Sequence, residues 1–209
     1  MNQNNQKIVI INYGMGNLNS VKRKLRKING NAVIANDYHS IESADKLILP
    51  GVGHFAMAVN NIKALALWDV LNELVLVKKK PILGICLGMQ LMAKQSEEGN
   101  VEGFGWFDAD VVRFKVNNTL QYKVPHMGWN NVSLRKQSDL FNKIPLAAEF
   151  YFVHSFHIQS NKSDEILGTT NYEYEFVSAL EKENIIGLQF HPEKSHDVGE
   201  KLLLNFLQL

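Results

Sequence analysis

The sequence predicts an α/β fold, namely a three-layer sandwich with a largely parallel central sheet and an antiparallel β insertion. The parallel part is predicted by the first half of the chain, where short apolar runs alternate with helical patterns, as they do in βαβ units. The insertion is predicted by residues 107–183, where strands and turns replace that alternation. One more strand and an amphipathic segment then close the domain.

The elements of the first half follow one another in order. Its apolar runs predict strands at 7–11, 31–35, 46–49 and 81–85. Its helical patterns predict helices at 17–28, 56–79 and 88–94. Such an alternation favours helices that cross over a parallel sheet.

The insertion is predicted to be mostly antiparallel. Its strands are expected at 108–115, from 122 onward, and at 149–158, 166–170 and 177–182, with a turn at Asn117-Asn118. A strand at 185–190 follows, and then a helix at 198–207 with one apolar stripe, formed by Leu202, Leu203, Phe206 and Leu207. No internal repeat or linker interrupts the pattern, so residues 1–209 are expected to form a single domain.

Composition narrows the class of protein. The chain has 209 residues, is 45% hydrophobic and 21% charged, and carries a formal charge of +1, so it can build one core and has no electrostatic bias toward nucleic acid. No apolar stretch approaches the roughly 18 residues of a membrane span, and the polar start at 1–6 has no signal-peptide pattern. We therefore expect a cytoplasmic protein that does not bind membranes.

The single cysteine, Cys86, is the most informative residue. One cysteine cannot form an internal disulfide or a thiolate zinc site, and no Asp, Glu or His group has metal-ligand spacing, so we expect no metal or cofactor. Cys86 lies between Gly84 and Gly88 at the end of an apolar run, which is typical of a nucleophile elbow between a strand and a helix. The helix N-terminus would favour a thiolate, and the N–H of Leu87 could bind an oxyanion beside the sulfur.

A matching base is found about a hundred residues later in the chain. His191 and Glu193 are two residues apart at the end of another apolar run. If Pro192 keeps this segment extended, the two side chains share a face, and the carboxylate can fix the tautomer of the imidazole. An isolated cysteine after apolar residues is usually a buried core thiol. Together with this pair, however, Cys86 predicts a Cys-His-Glu triad.

The loop Pro50-Gly51-Val52-Gly53 follows another predicted strand. Its glycines allow a close approach to a ligand, so the amides of Val52 and Gly53 are candidates for the second oxyanion donor, the alternative being a plain strand-to-helix turn. His54 follows directly, but it has no obvious carboxylate to orient it, and we expect it at the surface where a helix begins.

Three further segments are interpreted from their composition and spacing. The loop at 12–17 lacks the third glycine and the acidic residue of a dinucleotide site, so it is interpreted as a rim loop that either contacts a partner or only turns the chain. The basic residues at 22–27 are expected on a solvated helix face. His154 and His157 would face opposite sides of one strand, and either could be an ordinary core or surface histidine.

The segment at 124–130 contains Met127 and Trp129 around a glycine in a predicted turn. If they are half-exposed, side chains of these types favour contact with another protein. The alternative is that Trp129 is a core residue beneath the insertion.

These motifs resemble those of the triad-type, or class I, glutamine amidotransferases, across nearly the whole chain. The resemblance rests on Pro-Gly-Val-Gly, Gly-Ile-Cys-Leu-Gly-Met-Gln and Phe-His-Pro-Glu. It implies a flavodoxin-like fold and hydrolysis of glutamine to glutamate and ammonia. Four further motifs are similar to those of glutaminase subunits of imidazole glycerol phosphate synthases: Asn-Tyr-Gly-Met-Gly-Asn, Pro-His-Met-Gly-Trp-Asn, Tyr-Phe-Val-His-Ser and His-Pro-Glu-Lys-Ser.

The resemblance also implies roles for individual residues. Cys86 would be the nucleophile, His191 the base and Glu193 its orienting group, with oxyanion amides at Val52 and Leu87. Glutamine would be bound by Gly53, Gln90 and the main chain at Ser155 and Phe156, where the family commonly has Tyr instead of this Phe. A (β/α)8-barrel cyclase would receive the ammonia in histidine biosynthesis and would be contacted by Asn17, Met127, Trp129 and Lys194.

Two alternatives remain open at this stage. A paralogous glutaminase subunit could supply ammonia to a sugar-amidating enzyme of surface-polysaccharide synthesis, because the motifs lie on the donor side of the reaction. A non-catalytic regulatory protein could keep the same fold, although the intact cysteine, histidine and glutamate argue against it.

Overall fold

A computed structural model describes residues 6–209, so the polar start of the chain, on which part of the localisation prediction rests, lies largely outside the described residues. Within this range twelve strands form one sheet and two strands form another. The strands of the first half are β1 (Ile8–Ile11), β2 (Ala32–Ala35), β3 (Lys46–Gly51) and β4 (Ile82–Cys86). The later strands are β5 (Gln95–Ser96), β6 (Val101–Glu102), β7 (Ala109–Arg113), β8 (His126–Asn131), β9 (Ser133–Leu134), β10 (Glu149–His154), β11 (Phe156–Ser160), β12 (Ile166–Tyr172), β13 (Tyr174–Lys182) and β14 (Ile185–Leu188).

The parallel part of the large sheet has the strand order β2-β1-β3-β4-β14, with every neighbouring pair parallel. β13 then pairs antiparallel with β14, and the order continues through β11 and β7 to β5 and β6. β12 pairs with β13 and with β9. The remaining strands, β8 and β10, form an antiparallel pair of their own. The predicted combination of a parallel sheet and an antiparallel insertion is therefore confirmed.

Helices cover both faces of the sheet. They are α1 (Leu18–Lys27), α2 (Tyr38–Glu42), α3 (Phe55–Ala64), α4 (Leu67–Asn72), α5 (Leu87–Gln90) and α6 (His196–Gln208). Successive residues of β1 point to opposite faces, so Val9 and Ile11 pack in the core beneath α3 and α4, whereas Ile8 and Ile10 pack in the core shared with α1 and α6. This arrangement gives the three predicted layers.

Several predicted elements are shorter or interrupted. The helical segment expected at 56–79 breaks at Ala66, which adopts a left-handed conformation (φ 54°) before α4, and it ends as a π-helix at Glu73–Val77. The helix expected at 88–94 is only the four residues of α5. The strand expected at 149–158 divides at Ser155 into β10 and β11, which belong to different sheets. Local apolar periodicity does not reveal the division at Ser155, because it depends on β10 and β11 pairing with different strands, β8 and β7.

The turn predicted at Asn117-Asn118 does not join a hairpin, since β7 pairs with β11 and β5, while β8 pairs with β10. The backbone amides of Asn117 and Asn118 instead bind the Glu173 carboxylate, both at 2.7 Å. None of the helices within residues 6–209 is both long and apolar enough to cross a membrane.

Candidate active site

Three of the predicted motifs meet at the carboxyl edge of the parallel sheet. β3 ends at Gly51, β4 ends at Cys86 and β14 ends at Leu188. The register places Gly51 beside Cys86 and Leu188 beside Ile85. Because adjacent parallel strands end at the same edge, the loops that follow them converge there, as is usual for ligand sites in open α/β sheets.

The predicted nucleophile elbow is present at Cys86. Its backbone has φ 54° and ψ −110°, a strained conformation for a residue with a side chain, and α5 begins at the next residue. The neighbouring glycines permit close packing of this turn. A Cβ on Gly88 would lie 1.7 Å from the Leu49 carbonyl oxygen, and one on Gly84 would lie 2.6 Å from Met92 Cε. The strand-to-helix turn can therefore lie directly against β3.

The predicted base and its carboxylate are in contact. His191 Nδ1 and Glu193 Oε1 are 2.8 Å apart, and both side chains are buried. The prediction that Pro192 keeps this segment extended is wrong, because Pro192–Lys194 is a 3-10 helix. Ser195 stabilises the turn by donating its hydroxyl to the His191 carbonyl at 2.7 Å. The carboxylate thus reaches the ring because the backbone folds back.

The electrostatic environment of His191 suits a proton acceptor. Burial opposes the charged imidazolium, but the negative charge of a Cys86 thiolate and the hydrogen bond to Glu193 outweigh it and raise the pKa of His191 above its ordinary value. Nε2 is buried and has no hydrogen-bond partner among the described residues. With Nδ1 held by Glu193, Nε2 is the ring nitrogen left to exchange a proton with Cys86 or with a reacting group.

A cavity of about 380 Å³ opens beside the Cys86 sulfur. Its lining includes all the residues predicted to bind glutamine or its oxyanion, namely Val52, Gly53, Leu87, Gln90, Ser155 and Phe156. His54, expected at the surface, is exposed just before α3.

The Phe156 carbonyl already accepts from Gln90 Nε2 (3.0 Å) and His154 Nδ1 (2.7 Å), which fills both of its lone pairs. Any hydrogen bond from Phe156 to a ligand would therefore come from its N–H.

Two further residues at this site were not predicted from the sequence. Glu98 lines the cavity and accepts a hydrogen bond from the Phe55 amide at 2.8 Å, at the start of α3. Gln189 is fully buried, and its Nε2 lies 3.6 Å from Cys86 Sγ. Gln189 could have been suspected from its place directly before the Phe-His-Pro-Glu motif, whereas the loop that carries Glu98 has no local pattern that points to the cavity.

The histidine prediction for the insertion is wrong in geometry. His154 and His157 do not face opposite sides, because the chain changes sheets at Ser155 between them. Both are buried and pack against the Phe114 ring, with centroid distances of 5.2 and 4.5 Å. His154 also contacts His126, their Nε2 and Nδ1 atoms being 3.1 Å apart.

The predicted partner-facing residues lie outside the cavity. Met127 and Trp129 are 60% and 42% exposed, on strand β8 and not in a turn, so the interpretation of Trp129 as a core residue does not hold. Trp129 stacks on His196 at 4.8 Å and contacts Tyr151, whose ring also lies beneath Lys194 Nζ at 5.4 Å. Asn17 caps α1, where its side chain accepts a hydrogen bond from the Ser20 amide.

The basic residues of α1 mostly face solvent, as expected. Lys24 and Lys27 both bind the Glu200 carboxylate of α6, at 2.9 and 2.6 Å. This pairing ties the two helices of one layer together and leaves the exposed Lys22, Arg23 and Arg26.

Comparison with known proteins agrees with this geometry. The family model for glutamine amidotransferase class-I matches residues 9–209. The chain is 49% identical to imidazole glycerol phosphate synthase subunit HisH 2 of Methanococcus maripaludis, over 96% of this chain and 98% of that protein. It is 44% identical to subunit HisH 2 of Pseudomonas aeruginosa, over 97% and 99% of the two chains.

Solved structures share the fold at low identity. A crystal structure of a glutamine amidotransferase superposes with a TM-score of 0.74 at 16% identity, covering 96% of this chain and 97% of that one. A glutamine amidotransferase from Thermotoga maritima superposes with a TM-score of 0.67 at 17% identity, covering 97% and 96%. These likenesses concern the fold.

Proposed function

The chain belongs to the class-I glutamine amidotransferase family, and from that premise we propose that it is the glutaminase subunit of an imidazole glycerol phosphate synthase. In this proposal it hydrolyses glutamine and delivers ammonia to a (β/α)8-barrel cyclase, which makes imidazole glycerol phosphate and aminoimidazole carboxamide ribotide. The observation that carries the catalytic part is the strained Cys86 at a cavity, backed by the buried His191–Glu193 pair at 2.8 Å.

The proposed chemistry begins with attack of the Cys86 thiolate on the side-chain carbonyl carbon of glutamine. A C–S bond forms, and the carbonyl oxygen becomes an oxyanion, for which the amides of Leu87 and Val52 in the cavity lining are the candidate donors. When the oxyanion collapses, the C–N bond breaks and His191 supplies the proton that lets ammonia leave. A glutamyl thioester remains on Cys86.

The second half of the cycle restores the enzyme. His191 takes a proton from water, and the resulting nucleophile attacks the thioester carbonyl, so the C–S bond breaks and glutamate is released. Glu193 keeps the proton of His191 on Nδ1, which leaves Nε2 to face the reaction. Two moderate barriers thus replace the single high barrier of amide hydrolysis.

Glutamine also has two charged groups that the cavity must recognise. Glu98 provides a carboxylate in the lining, and we assign it to the α-ammonium group of the substrate. The Nε2 of Gln90 is committed to Phe156 and Gln189, so the oxygen Oε1 is the part of this side chain that we assign to binding glutamine. Ser155 and Phe156 contribute their N–H groups.

The cyclase is proposed to dock on the exposed part of β8 and the neighbouring turn. Met127 and Trp129 provide apolar area, and Lys194 provides a positive charge beside it. Tryptophan and methionine are enriched at the centres of protein interfaces, whereas a lysine is typical of the polar rim. Asn17 would lie at the margin of the same interface.

The second candidate stays a rival because the matching subunit occurs twice in one organism. Methanococcus maripaludis has two matching proteins, named imidazole glycerol phosphate synthase subunits HisH 1 and HisH 2, which are 45% and 49% identical to this chain. A duplicated subunit can serve a second synthase, so the rival is a glutaminase that supplies a sugar-amidating enzyme.

Glutamate release by the purified chain, alone and with a barrel cyclase, tests the proposal. The wild-type complex should release glutamate and form imidazole glycerol phosphate with glutamine as the nitrogen source, whereas Cys86→Ala should release none and should form product only from added ammonium. Because no large cavity is opened, the variant should melt close to wild type. Glutamate release without transfer to this product would favour the second candidate, and activity in Cys86→Ala would exclude Cys86 as the nucleophile.

A further inference from the structure

A chain of hydrogen bonds leads from the Cys86 sulfur to strand β8, and the catalytic cycle described above does not use it. Gln189 Nε2 lies 3.6 Å from the sulfur, and Gln189 Oε1 accepts from Gln90 Nε2 at 3.0 Å. Gln90 Nε2 also donates to the Phe156 carbonyl at 3.0 Å. Gln189 is fully buried, so no water competes for its amide.

The direction of these hydrogen bonds follows from the Phe156 carbonyl. A carbonyl oxygen can only accept, so the amide group of Gln90 that faces it must be the NH2. The same NH2 faces Gln189, which must therefore present its oxygen. The remaining half of the Gln189 amide, its NH2, then points at the sulfur. A reversed Gln189 would place two NH2 groups against each other and an oxygen against a thiolate.

His154 holds the Phe156 carbonyl in place, and His126 in turn holds His154. His154 Nδ1 lies 2.7 Å from the Phe156 carbonyl oxygen and must carry the hydrogen. Burial lowers the pKa of His154 well below its ordinary value, so the ring is neutral and its Nε2 is an acceptor. His126 Nδ1, at 3.1 Å, must then be the donor. This leaves His126 Nε2 to accept from Asn130 Nδ2 at 3.4 Å.

We propose that Gln189 holds and stabilises the reacting Cys86 sulfur by donating a hydrogen bond to it, and that His154 and His126 are positioning residues that fix the direction of this bond through the Phe156 carbonyl. The inference rests on the proposed function, since it gives the sulfur a partner for its anionic form. It adds a hydrogen-bond donor besides His191 to a sulfur that also lies 4.0 Å from the Val153 carbonyl oxygen, and it gives the uncharged histidines buried next to the active site a role.

The sulfur itself offers the direct test, because Cys86 is the single cysteine of the chain. The rate of S-alkylation by iodoacetamide at a fixed, near-neutral pH reports the thiolate without any need for glutamine hydrolysis. Gln189→Met removes the donor with little change of volume and should slow alkylation about two- to tenfold, as expected for the loss of one hydrogen bond. Gln189→Glu replaces the donor by a carboxylate and should slow it further.

The positioning role of His154 is tested by a matched pair of variants. In His154→Asn the amide nitrogen occupies nearly the position of Nδ1 and can still donate to Phe156, whereas His154→Gln reaches only the position of Nε2. We expect His154→Gln to alkylate several-fold more slowly than His154→Asn, with kcat for glutamine reduced more than KM is raised. His157→Asn is the control, since His157 is equally buried but bonds to Ile158 and Tyr174 instead.

A measurement on the wild-type protein covers the case in which a variant does not fold. The side-chain NH2 resonances of Gln189 in an NMR spectrum should shift when Cys86 is alkylated, while those of an exposed glutamine such as Gln137 should not. Unshifted Gln189 signals, or equal alkylation rates in wild type, Gln189→Met and Gln189→Glu, would overturn the proposal. If the order of alkylation rates holds but no glutamate is released, then the proposed function fails and the sulfur contact stands.

Discussion

The carboxyl edge of the parallel sheet and the exposed strand β8 contrast in how they hold their candidate functional residues. At the edge, Cys86 and His191 are only 6% and 1% exposed, and their positions follow from where β4 and β14 end. On β8, Met127 and Trp129 are 60% and 42% exposed, and their direction follows from alternation along the strand. The geometry of the proposed catalytic groups is thus set by backbone packing, whereas that of the proposed docking surface is set by the direction of side chains on one strand.

This contrast has a physical consequence for substitutions. Close-packed backbone has no room for an added atom, so a change at the edge must move a strand. A change on an exposed strand removes contact area and leaves the fold intact. Substitutions in the two regions should therefore have separable effects on stability and on binding.

The same substitution in the two regions should give very different losses of stability. Gly88→Ala places a Cβ 1.7 Å from the Leu49 carbonyl oxygen, so β3 and the elbow must separate, and we expect a loss of more than about 3 kcal/mol or failure to fold. Gly128→Ala on β8 meets no atom within 4 Å but is strained by its φ of 137°, which costs on the order of 1–3 kcal/mol. Urea unfolding measures both, and equal midpoints would contradict the comparison.

Truncation at the docking surface should reduce affinity and not stability. Trp129→Ala removes the aromatic centre of the exposed cluster, and such truncations commonly cost 2 kcal/mol or more, about a thirtyfold rise in Kd for the cyclase. Thermal stability should change little, because the ring stacks on the exposed His196. Calorimetric titration and melting curves measure the two effects.

Val77→Ala is the matched control for this experiment. Val77 is also an exposed apolar residue, at 75%, but it precedes β4 and so lies toward the opposite edge of the sheet. Its truncation should leave the Kd unchanged. An unchanged Kd in Trp129→Ala, or an equal loss in both variants, would remove β8 from the proposed interface.

His126, which is buried on the inner face of β8, should make the free energy of unfolding fall at acid pH. Burial lowers the pKa of His126 from 6.5 to about 4, so between these values the unfolded chain binds a proton that the folded chain does not. The contribution of neutral His126 is therefore complete above pH 6.5 and is lost as the pH falls toward 4. His126 alone can change the free energy of unfolding by at most about 1.4 kcal/mol per pH unit.

His126→Phe isolates that slope from the titration of other groups. The phenyl ring can occupy the same place against Phe152 and Tyr172, whose rings lie 4.9 and 4.1 Å away, but it cannot be protonated. The variant should be less stable than wild type at neutral pH, because His154 loses its donor, and its stability should fall less steeply with acid. Parallel curves of unfolding free energy against pH would show that His126 does not titrate in this range.

Much of this site is contained in local sequence patterns. The strand before Cys86, the small residues beside it and the two-residue spacing of His191 and Glu193 each lie within one short segment. Their residue types alone predict a thiol, an imidazole and a carboxylate acting together. The interruption at Ser155 is not predicted, because it depends on the pairing of β10 and β11 with different strands, β8 and β7.

The fold class, the parallel sheet with its insertion and the chemical groups of the reaction all follow from the sequence, since hydrophobic periodicity and residue type are local properties. Which of those groups meet depends on the tertiary structure. Gln189 contacts Cys86 across a sequence separation of 103 residues, and Glu98 reaches the cavity by binding the amide of Phe55 from 43 residues away. His154 and His157 both face the Phe114 ring because the chain changes sheets between them. Such contacts depend on strand register and on where each strand ends, which are fixed when the whole core packs and not by any single segment.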